Sequence, residues 1–542
     1  MQRRFIASLQ IALSTFALMS GCDSRSDRAG ATHDAAPRGR ARHDAKSEER
    51  REGVRATTST TAPSPADLVG GEDYARLAEN DFVSVADDPR STFSIDVDTA
   101  SYSNVRRLLT DGALPPADAV RIEEMINYFD YDYAAPKSDA PFSMTSEVAS
   151  CPWNAEHRLV HLGLQGQTID ERDVPSRNLV FLLDVSGSMN SPDKLPLLER
   201  GLGMLVDTLR PQDRVSIVVY AGAFGVVLEP TSDKAEILAA LDRLEAGGST
   251  NGGAGIELAY RLAEKTFVAG GINRVILATD GDFNVGTTGQ GALEQLITEK
   301  RASGVFLSVL GFGDGNTKDS TMELLADKGN GNYAYIDSIS EARKVLVTEA
   351  GSTLVTIAKD VKIQVEFNPA EVAAFRLVGY ENRMLAHADF NDDTKDAGEI
   401  GAGHSVTALY EVIPTGAKDA PAAKVDGLTY QAVGGTTPAA AANELMNVKI
   451  RYKQPEGDSS RMLSFAVADS DAAVAASSQD FRFSAGVAEF GMLLRDSKHK
   501  GTSSWAGAIE LGEHAMGKDE GGYRKEFIEL VRRAQTLSSA RG

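Results

Sequence analysis

The sequence predicts an α/β protein whose central domain, residues 177–350, is a doubly wound and mostly parallel sheet. Strand-like and helix-like segments alternate along this range, and the strand-like runs are short and apolar. Helical connections between such runs favour parallel strands joined by right-handed crossovers. We expect an α+β unit before this domain, over residues 80–175, and a β-rich unit followed by helices after it, over residues 355–542.

The elements of the central domain follow from their residue patterns. Continuous apolar runs predict buried strands, and amphipathic stretches predict helices. The predicted strands are 179–183, 214–220, 226–229, 275–278 and 305–311. The predicted helices are 194–209, 234–244, 253–267, 292–302 and 321–327.

The flanking units are assigned in the same way. Before the central domain, helices are predicted at 102–109 and 119–129, with Asp118 as the amino-terminal cap of the second. After it, β-favouring residues in alternation predict antiparallel strands within 360–385 and 445–454. Helical periodicity returns at 481–494, 506–515 and 523–537.

A group of oxygen-bearing residues follows two of the predicted strands. Asp184, Ser186 and Ser188 stand at alternate positions directly after the first strand, and Asp280 follows a later one. Thr250 stands in a glycine-rich turn before a helix. Carboxylates and hydroxyls are the ligands that hard cations such as Mg²⁺ prefer, and parallel strands bring their carboxyl ends to one edge. Each motif alone is also typical of a capped turn, but together they favour a metal site.

The pattern Asp184-x-Ser186-x-Ser188, then Thr250, then Asp280 resembles the metal-ion-dependent adhesion site (MIDAS) of von Willebrand factor type A (VWA) domains. The resemblance implies a Rossmann-like fold for residues 177–350. It also implies that Ser186, Ser188 and sometimes Thr250 bind the ion directly, while Asp184 and Asp280 act directly or through water. The ion would be Mg²⁺, with Mn²⁺ or Ca²⁺ as alternatives, and an acidic group of a protein partner would complete its coordination.

The amino terminus predicts export. Two arginines precede an apolar stretch that is short for a membrane span, so residues 1–22 are typical of a secretory signal peptide. Its end resembles a bacterial lipobox, which implies that Cys22 is lipidated and anchors the protein to a membrane; a plain signal peptide is the alternative. Asp23 resembles the inner-membrane retention signal of lipoproteins, so we expect the periplasmic face of the bacterial cell envelope. Residues 23–75 are polar and predict a disordered tether.

Composition argues against several other functions. The formal net charge of −21 disfavours nucleic acid as a partner because phosphates would be repelled. The chain has no G-x-x-x-x-G-K loop for a nucleotide, no G-x-S-x-G elbow and no zinc-like spacing of histidines. Beside Cys22 the only cysteine is Cys151, which we interpret as a small buried hydrophobe.

We therefore expect an exported, lipid-anchored protein-binding module and no enzyme. The main alternative is a structural envelope protein in which the metal only stabilises the loops and partners dock on the flanking units. A remote third hypothesis is an aspartate-nucleophile phosphatase, because Asp96 and Asp98 could pass for its first motif. The later motifs of such phosphatases are missing, which favours an ordinary strand end with solvated carboxylates.

Overall fold

The computed structural model describes residues 72–95, 97–137, 139–170, 172–249, 252–281, 290–314, 318–350, 354–395, 397–420 and 436–541. The strands of these ranges form one central sheet and two antiparallel sheets. The mostly parallel α/β domain between antiparallel flanking sheets and carboxyl-terminal helices confirms the predicted fold class.

The central sheet has the strand order β10-β9-β8-β5-β6-β7. All of its neighbouring strands are parallel except β6 and β7, which form an antiparallel hairpin. The predicted strand at 226–229 is therefore an antiparallel edge strand, because the short turn after β6 cannot make a crossover. The strands are β5 (Arg177–Asp184), β6 (Arg214–Tyr220), β7 (Phe224–Thr231), β8 (Ile272–Thr279), β9 (Phe306–Phe312) and β10 (Tyr333–Ile336).

Helices cover both faces of this sheet. In β5, Leu179, Phe181 and Leu183 pack in one core, and the alternate residues Val180 and Leu182 pack in a second. The first core contains side chains of α3, α4 and α8, and the second contains side chains of α5, α6 and α7. The helices are α3 (Leu195–Thr208), α4 (Lys234–Leu241), α5 (Gly252–Lys265), α6 (Gln290–Ala302), α7 (Asp319–Lys328) and α8 (Ile339–Arg343). Burial on both faces explains why β5 reads as a continuous apolar run.

The two flanking units share their sheets. One sheet has the order β1-β12-β14-β4-β3, and the other has β13-β11-β15-β16 with β2 also paired to β11. Strands from before and after the central domain thus pair within each sheet, and the two sheets share one core as a β-sandwich. The strands are β1 (Val83–Ser84), β2 (Arg90–Ser94), β3 (Phe142–Cys151), β4 (Asn154–Gly166), β11 (Thr356–Phe367), β12 (Val372–Val378), β13 (Ile400–Gly401), β14 (Ser405–Pro414), β15 (Glu444–Lys453) and β16 (Ser460–Ala468). The central domain is inserted into this sandwich.

A helical layer joins the two ends of the described chain. Its aromatic core contains Tyr102, Tyr128 and Phe129 from the first part and Phe483 and Phe527 from the last. The helices are α1 (Ala100–Thr110), α2 (Ile122–Asn127), α9 (Gln479–Leu494), α10 (Trp505–Glu513) and α11 (Tyr523–Arg541). None of the helices within the described ranges is both long and apolar enough to span a bilayer.

Two local predictions were wrong. Asp118 does not cap α2, whose cap position is Arg121; the Asp118 carboxylate instead accepts a hydrogen bond of 3.1 Å from the Leu77 backbone N–H. Residues 72–75, which the composition assigned to the tether, contact the folded part, since the Glu72 carboxylate lies 2.7 Å from Arg107. The backbone of Asp73 also forms an isolated parallel β-bridge with the backbone of Lys318.

Candidate metal centre

The predicted metal residues lie at the carboxyl ends of β5 and β8. Asp184 ends β5 and is in register with Tyr220, the last residue of β6. Leu183 is in register with Ala278 of β8, which places Thr279 beside Asp184. Asp280 follows directly, so the structure brings Asp184 and Asp280 to the same edge of the sheet.

Asp184 is completely buried and held by hydrogen bonds on two sides. Its Oδ1 accepts the Ser186 N–H at 2.9 Å, and its Oδ2 accepts the Thr279 hydroxyl at 3.2 Å. Burial raises the pKa of the Asp184 carboxyl, and the neighbouring charge of Asp280 adds to the rise. The Tyr220 phenol is also buried, and its pKa is raised by burial and by the charge of Asp184. These contacts fix the carboxylate before any ligand arrives.

The two serines form a turn at the surface of the site. Ser186 Oγ lies 3.0 Å from Ser188 Oγ, so the two hydroxyls face one another. Ser186 is 2% exposed, whereas Ser188 is exposed to solvent. The pair therefore connects the buried carboxylates to the outside.

A glycine-rich loop lies against this turn. Gly247 N–H donates to the Val185 carbonyl at 2.7 Å, and Gly187 N–H donates to the Gly248 carbonyl at 3.1 Å. Gly248 has a φ of +85°, and a Cβ there would come within 3.2 Å of the Gly222 backbone nitrogen. The loop leads to Thr250, which lies outside the described residues, so its role as a ligand stays a prediction.

Asp280 is paired with Lys194, which the sequence pattern marks only as the start of the predicted helix 194–209. The Lys194 Nζ donates to Asp280 Oδ2 at 3.0 Å, and the side chains are 10% and 1% exposed. Lys194 directly precedes α3, and its aliphatic stem lies on Gly313. No periodic pattern in the sequence indicates this ion pair, because Lys194 and Asp280 are 86 positions apart.

The described donors fit a hard divalent cation. Two buried carboxylates and two serine hydroxyls supply only oxygen, as Mg²⁺ prefers. Within the described ranges, no group of three or more His, Cys, Asp or Glu side chains is placed to hold a metal. The described donor set contains two carboxylates and two hydroxyls, so it does not form such a group.

The remaining predicted residues fall elsewhere. Cys22 and Asp96 lie outside the described residues. Asp98 is buried rather than solvated, since it accepts the Tyr333 N–H at 2.7 Å and the Arg383 guanidinium at 3.2 Å. Cys151 is buried, and burial raises the pKa of its thiol well above the ordinary value, as expected for a hydrophobe and not for a nucleophile.

Comparison with known families places these parts. The model of the von Willebrand factor type A domain matches residues 178–348, and a model described as von Willebrand factor matches residues 69–161. A third, described as the C-terminal part of uncharacterized protein YfbK, matches residues 352–537. The fold and the site thus define a protein of the VWA class, whose members typically bind ligands through a metal at the MIDAS.

The particular family follows from a relative that matches most of the chain. Uncharacterized protein YfbK of Escherichia coli (strain K12) is 45% identical over 474 residues, which cover 86% of this chain and 81% of the relative. This chain belongs to the YfbK family.

Solved structures give more distant matches. The von Willebrand factor type A protein from Catenulispora acidiphila is 16% identical with a TM-score of 0.40, covering 72% of this chain and 91% of that one. Proximal thread matrix protein 1 from the mussel byssus, with a zinc-occupied MIDAS motif, is 20% identical with a TM-score of 0.28, covering 37% and 46%.

Proposed function

We propose that this protein is a metal-dependent binding protein of the bacterial cell envelope, and not an enzyme, that captures a carboxylate of a protein partner. The carrying observation is the arrangement of its oxygen donors. Asp184 and Asp280 are buried at 0% and 2% exposure, while Ser188 reaches solvent between them and the surface. A bound divalent cation would supply positive charge and a free coordination position for an acidic group.

Each residue has a separate part in this proposal. Asp184 is held rigidly by the Ser186 N–H and the Thr279 hydroxyl, so it needs little rearrangement on binding. Ser186 and Ser188 would offer neutral oxygens, so the carboxylates of Asp184 and Asp280 would be the anionic groups of the described donor set. A hard divalent cation prefers oxygen ligands, so a carboxylate of the partner would suit its open coordination position.

An exposed apolar strand beside the site supports a protein as the partner. Phe224, Val226 and Val227 of β7 are 46%, 37% and 38% exposed. The turn before β7 touches the loop that leads to Thr250, since a Cβ on Gly222 would lie 3.5 Å from the Ser249 nitrogen. A partner segment with an acidic side chain and a neighbouring apolar side chain would cover both features.

The position of β7 favours the same occupant. In the part of the chain that the structure describes, β7 is the last strand of its sheet and pairs only with β6. Phe224 of β7 is in register with Tyr220 of β6, and Tyr220 is in register with Asp184 of β5. Phe224 therefore lies at the same end of the strands as Asp184. An extended partner segment could therefore lie along β7 and reach the ion.

The test is partner capture from envelope extract with the purified protein, its Asp184→Ala variant and, as a matched control, Asp207→Ala on the exposed side of α3. Each is tested with Mg²⁺ and with a chelator. We expect one partner whose capture requires both Mg²⁺ and Asp184 and is unaffected in the control. Capture that is indifferent to both would contradict the proposal and favour docking on the flanking units. Thermal unfolding of Asp184→Ala separates this from the structural alternative, in which the variant loses stability but keeps its partner.

The lipid anchor belongs to the same proposal and is supported by the sequence of residues 1–22. Acyl chains on one cysteine would hold a soluble domain at a membrane because each buried methylene contributes about 0.8 kcal/mol. We expect Cys22→Ser to abolish labelling by a radioactive or clickable fatty acid and to release the protein from membranes. Equal labelling of both forms would rule out this anchor.

A further inference from the structure

We infer that Lys194 is a built-in counter-cation of the metal centre, which occupies Asp280 in the ion-free protein and thereby sets how tightly the centre binds its metal. The inference rests on the proposed function, because it requires that this edge of the sheet binds a divalent cation. It goes further by naming a residue outside the ligand set that regulates the site.

The first observation is the contact itself. Lys194 Nζ lies 3.0 Å from Asp280 Oδ2, and the lysine and aspartate side chains are 10% and 1% exposed. An ion pair shielded from water to this extent interacts far more strongly than one at the surface. The ammonium therefore places a positive charge beside a carboxylate that is almost completely buried.

The second observation is that the fold makes room for this side chain. Gly313, directly after β9, has a φ of +74°, and a Cβ at this position would collide with the Cγ, Cδ and Cε atoms of Lys194. The Gly313 carbonyl is fixed by the Tyr335 hydroxyl at 2.6 Å. The aliphatic stem of Lys194 thus packs directly over Gly313, which has no side chain to block it, and the ammonium reaches Asp280.

The third observation is the position of Lys194 in the chain. It lies between the serine turn at residues 186–188 and α3, whose first residue is Leu195. The Lys194 backbone N–H donates to the Ser191 carbonyl at 3.0 Å, and its own carbonyl accepts the Leu198 N–H at 2.8 Å. The backbone that carries the ammonium is therefore fixed by its own hydrogen bonds at the start of α3, six residues after Ser188.

These observations have two consequences for the site. Without an ion, the ammonium keeps Asp280 in place, so the edge stays folded. When a divalent cation is bound, its positive charge lies close to that of the Lys194 ammonium. The affinity of the site for the cation is therefore lower than the donor set alone would give. The excess positive charge that results would strengthen the attraction for an acidic ligand.

The test compares Lys194→Met, which keeps the aliphatic stem and removes the charge, with the wild-type protein and with Lys453→Met. Lys453 is a matched control because it forms a lysine–aspartate ion pair with Asp360 in the β-sandwich, at 12% and 14% exposure. Binding of Mg²⁺ alone and of Mn²⁺ alone is measured by calorimetry, and thermal midpoints are measured in EDTA and at saturating Mg²⁺.

We expect Lys194→Met to bind Mg²⁺ about tenfold more tightly or better, and to have a lower midpoint in EDTA, so that the shift produced by Mg²⁺ becomes larger. Lys453→Met should leave the affinity unchanged. If the wild type binds Mg²⁺ and Lys194→Met binds it equally or more weakly, the inference about Lys194 is overturned but the metal centre is not. Failure of both wild type and variant to bind either ion would overturn the inference and the metal centre together.

A second variant covers the case in which Lys194→Met does not fold in EDTA. Gly313→Ala leaves every predicted ligand intact but displaces the lysine stem, so we expect its Mg²⁺ affinity to rise in the same direction. If Gly313→Ala is folded and binds Mg²⁺ with the same affinity as the wild type, the inference is contradicted.

Discussion

Arg106 of α1 forms a buried ion pair with Glu341 of α8, with 2.7 Å between Nη2 and Oε2. The same guanidinium donates from Nε to Asp337 Oδ2, just after β10, at 2.7 Å. Its Nη1 donates to the Tyr128 hydroxyl at 2.8 Å and to Glu526 of α11 at 3.1 Å. One side chain thus connects the first described part of the chain, the central domain and the carboxyl-terminal helices.

This geometry predicts a large loss of stability for Arg106→Met. The substitution leaves the carboxylates of Asp337 and Glu341 buried without their cation, which costs about 3–5 kcal/mol. The matched control is Arg261→Met, whose partner Glu257 lies at 3.4 Å on the exposed side of α5 and contributes about 0–1 kcal/mol. Urea unfolding followed by circular dichroism measures both. Equal shifts of the two midpoints would show that the Arg106 cluster does not hold the parts together.

The central domain was predictable because its signals are local. The apolar run of β5 and the periodicity of α3 and α5 depend on neighbours within one element, and the predicted boundaries lie within a few residues of the observed ones. The placement of Asp184 and Asp280 at one edge followed from the rule that parallel strands end together.

The β-sandwich was not predictable in this way. Ser94 of β2 is in register with Lys362 of β11, and the central domain lies between them in sequence. No local pattern records such a pairing, so the two flanking parts looked like separate units. Lys194 was missed for the same reason, because only the folded chain brings it to Asp280.

Buried Glu123 predicts a stability that falls as the pH rises. Burial raises its pKa from the ordinary value of 4.5 to about 8, and the charges of Glu381 and Glu124 add to the rise. Between these two pH values the folded protein holds more protons on this group than the unfolded chain, so the free energy of unfolding decreases toward pH 8. The slope is at most about 1.4 kcal/mol per pH unit for one group.

Glu123→Gln removes this titration, so we expect the variant to gain stability over the wild type at pH 8 and to differ least near pH 5. Thermal midpoints across this pH range measure the effect. Glu366→Gln is the control, since Glu366 lies at the surface with a side chain that is 52% exposed. A wild-type midpoint that does not depend more steeply on pH than that of Glu123→Gln would contradict the prediction.

Two helical glycines predict opposite effects of the same substitution. A Cβ on Gly255 of α5 would lie 2.9 Å from Tyr220 Cβ and 3.3 Å from Leu182 Cδ1, so Gly255→Ala forces α5 away from the sheet. We expect a loss of about 1–3 kcal/mol and weaker Mg²⁺ binding, because Tyr220 lies beside Asp184 in the register of the sheet. Gly203→Ala on α3 meets only Leu238, at 3.7 Å, and should stabilise by about 0.5–1 kcal/mol. Chemical unfolding of both variants checks the signs, and a gain for Gly255→Ala would show that the close contact is not constraining.

The exposed strand β7 predicts a variant that separates partner binding from metal binding. Phe224→Ser removes an aromatic side chain that is 46% exposed and is not one of the predicted ligands, so stability and Mg²⁺ affinity should stay at wild-type values. If the partner covers β7 while its carboxylate reaches the metal centre, its affinity should fall roughly tenfold, about 1.4 kcal/mol. The control is Phe267→Ser, which alters a phenylalanine of 44% exposure just before β8 begins, at the opposite end of the strands. Titration of the captured partner with each variant measures the affinities. An unchanged affinity for Phe224→Ser, or an equal loss for Phe267→Ser, would show that the partner does not use this edge of the sheet.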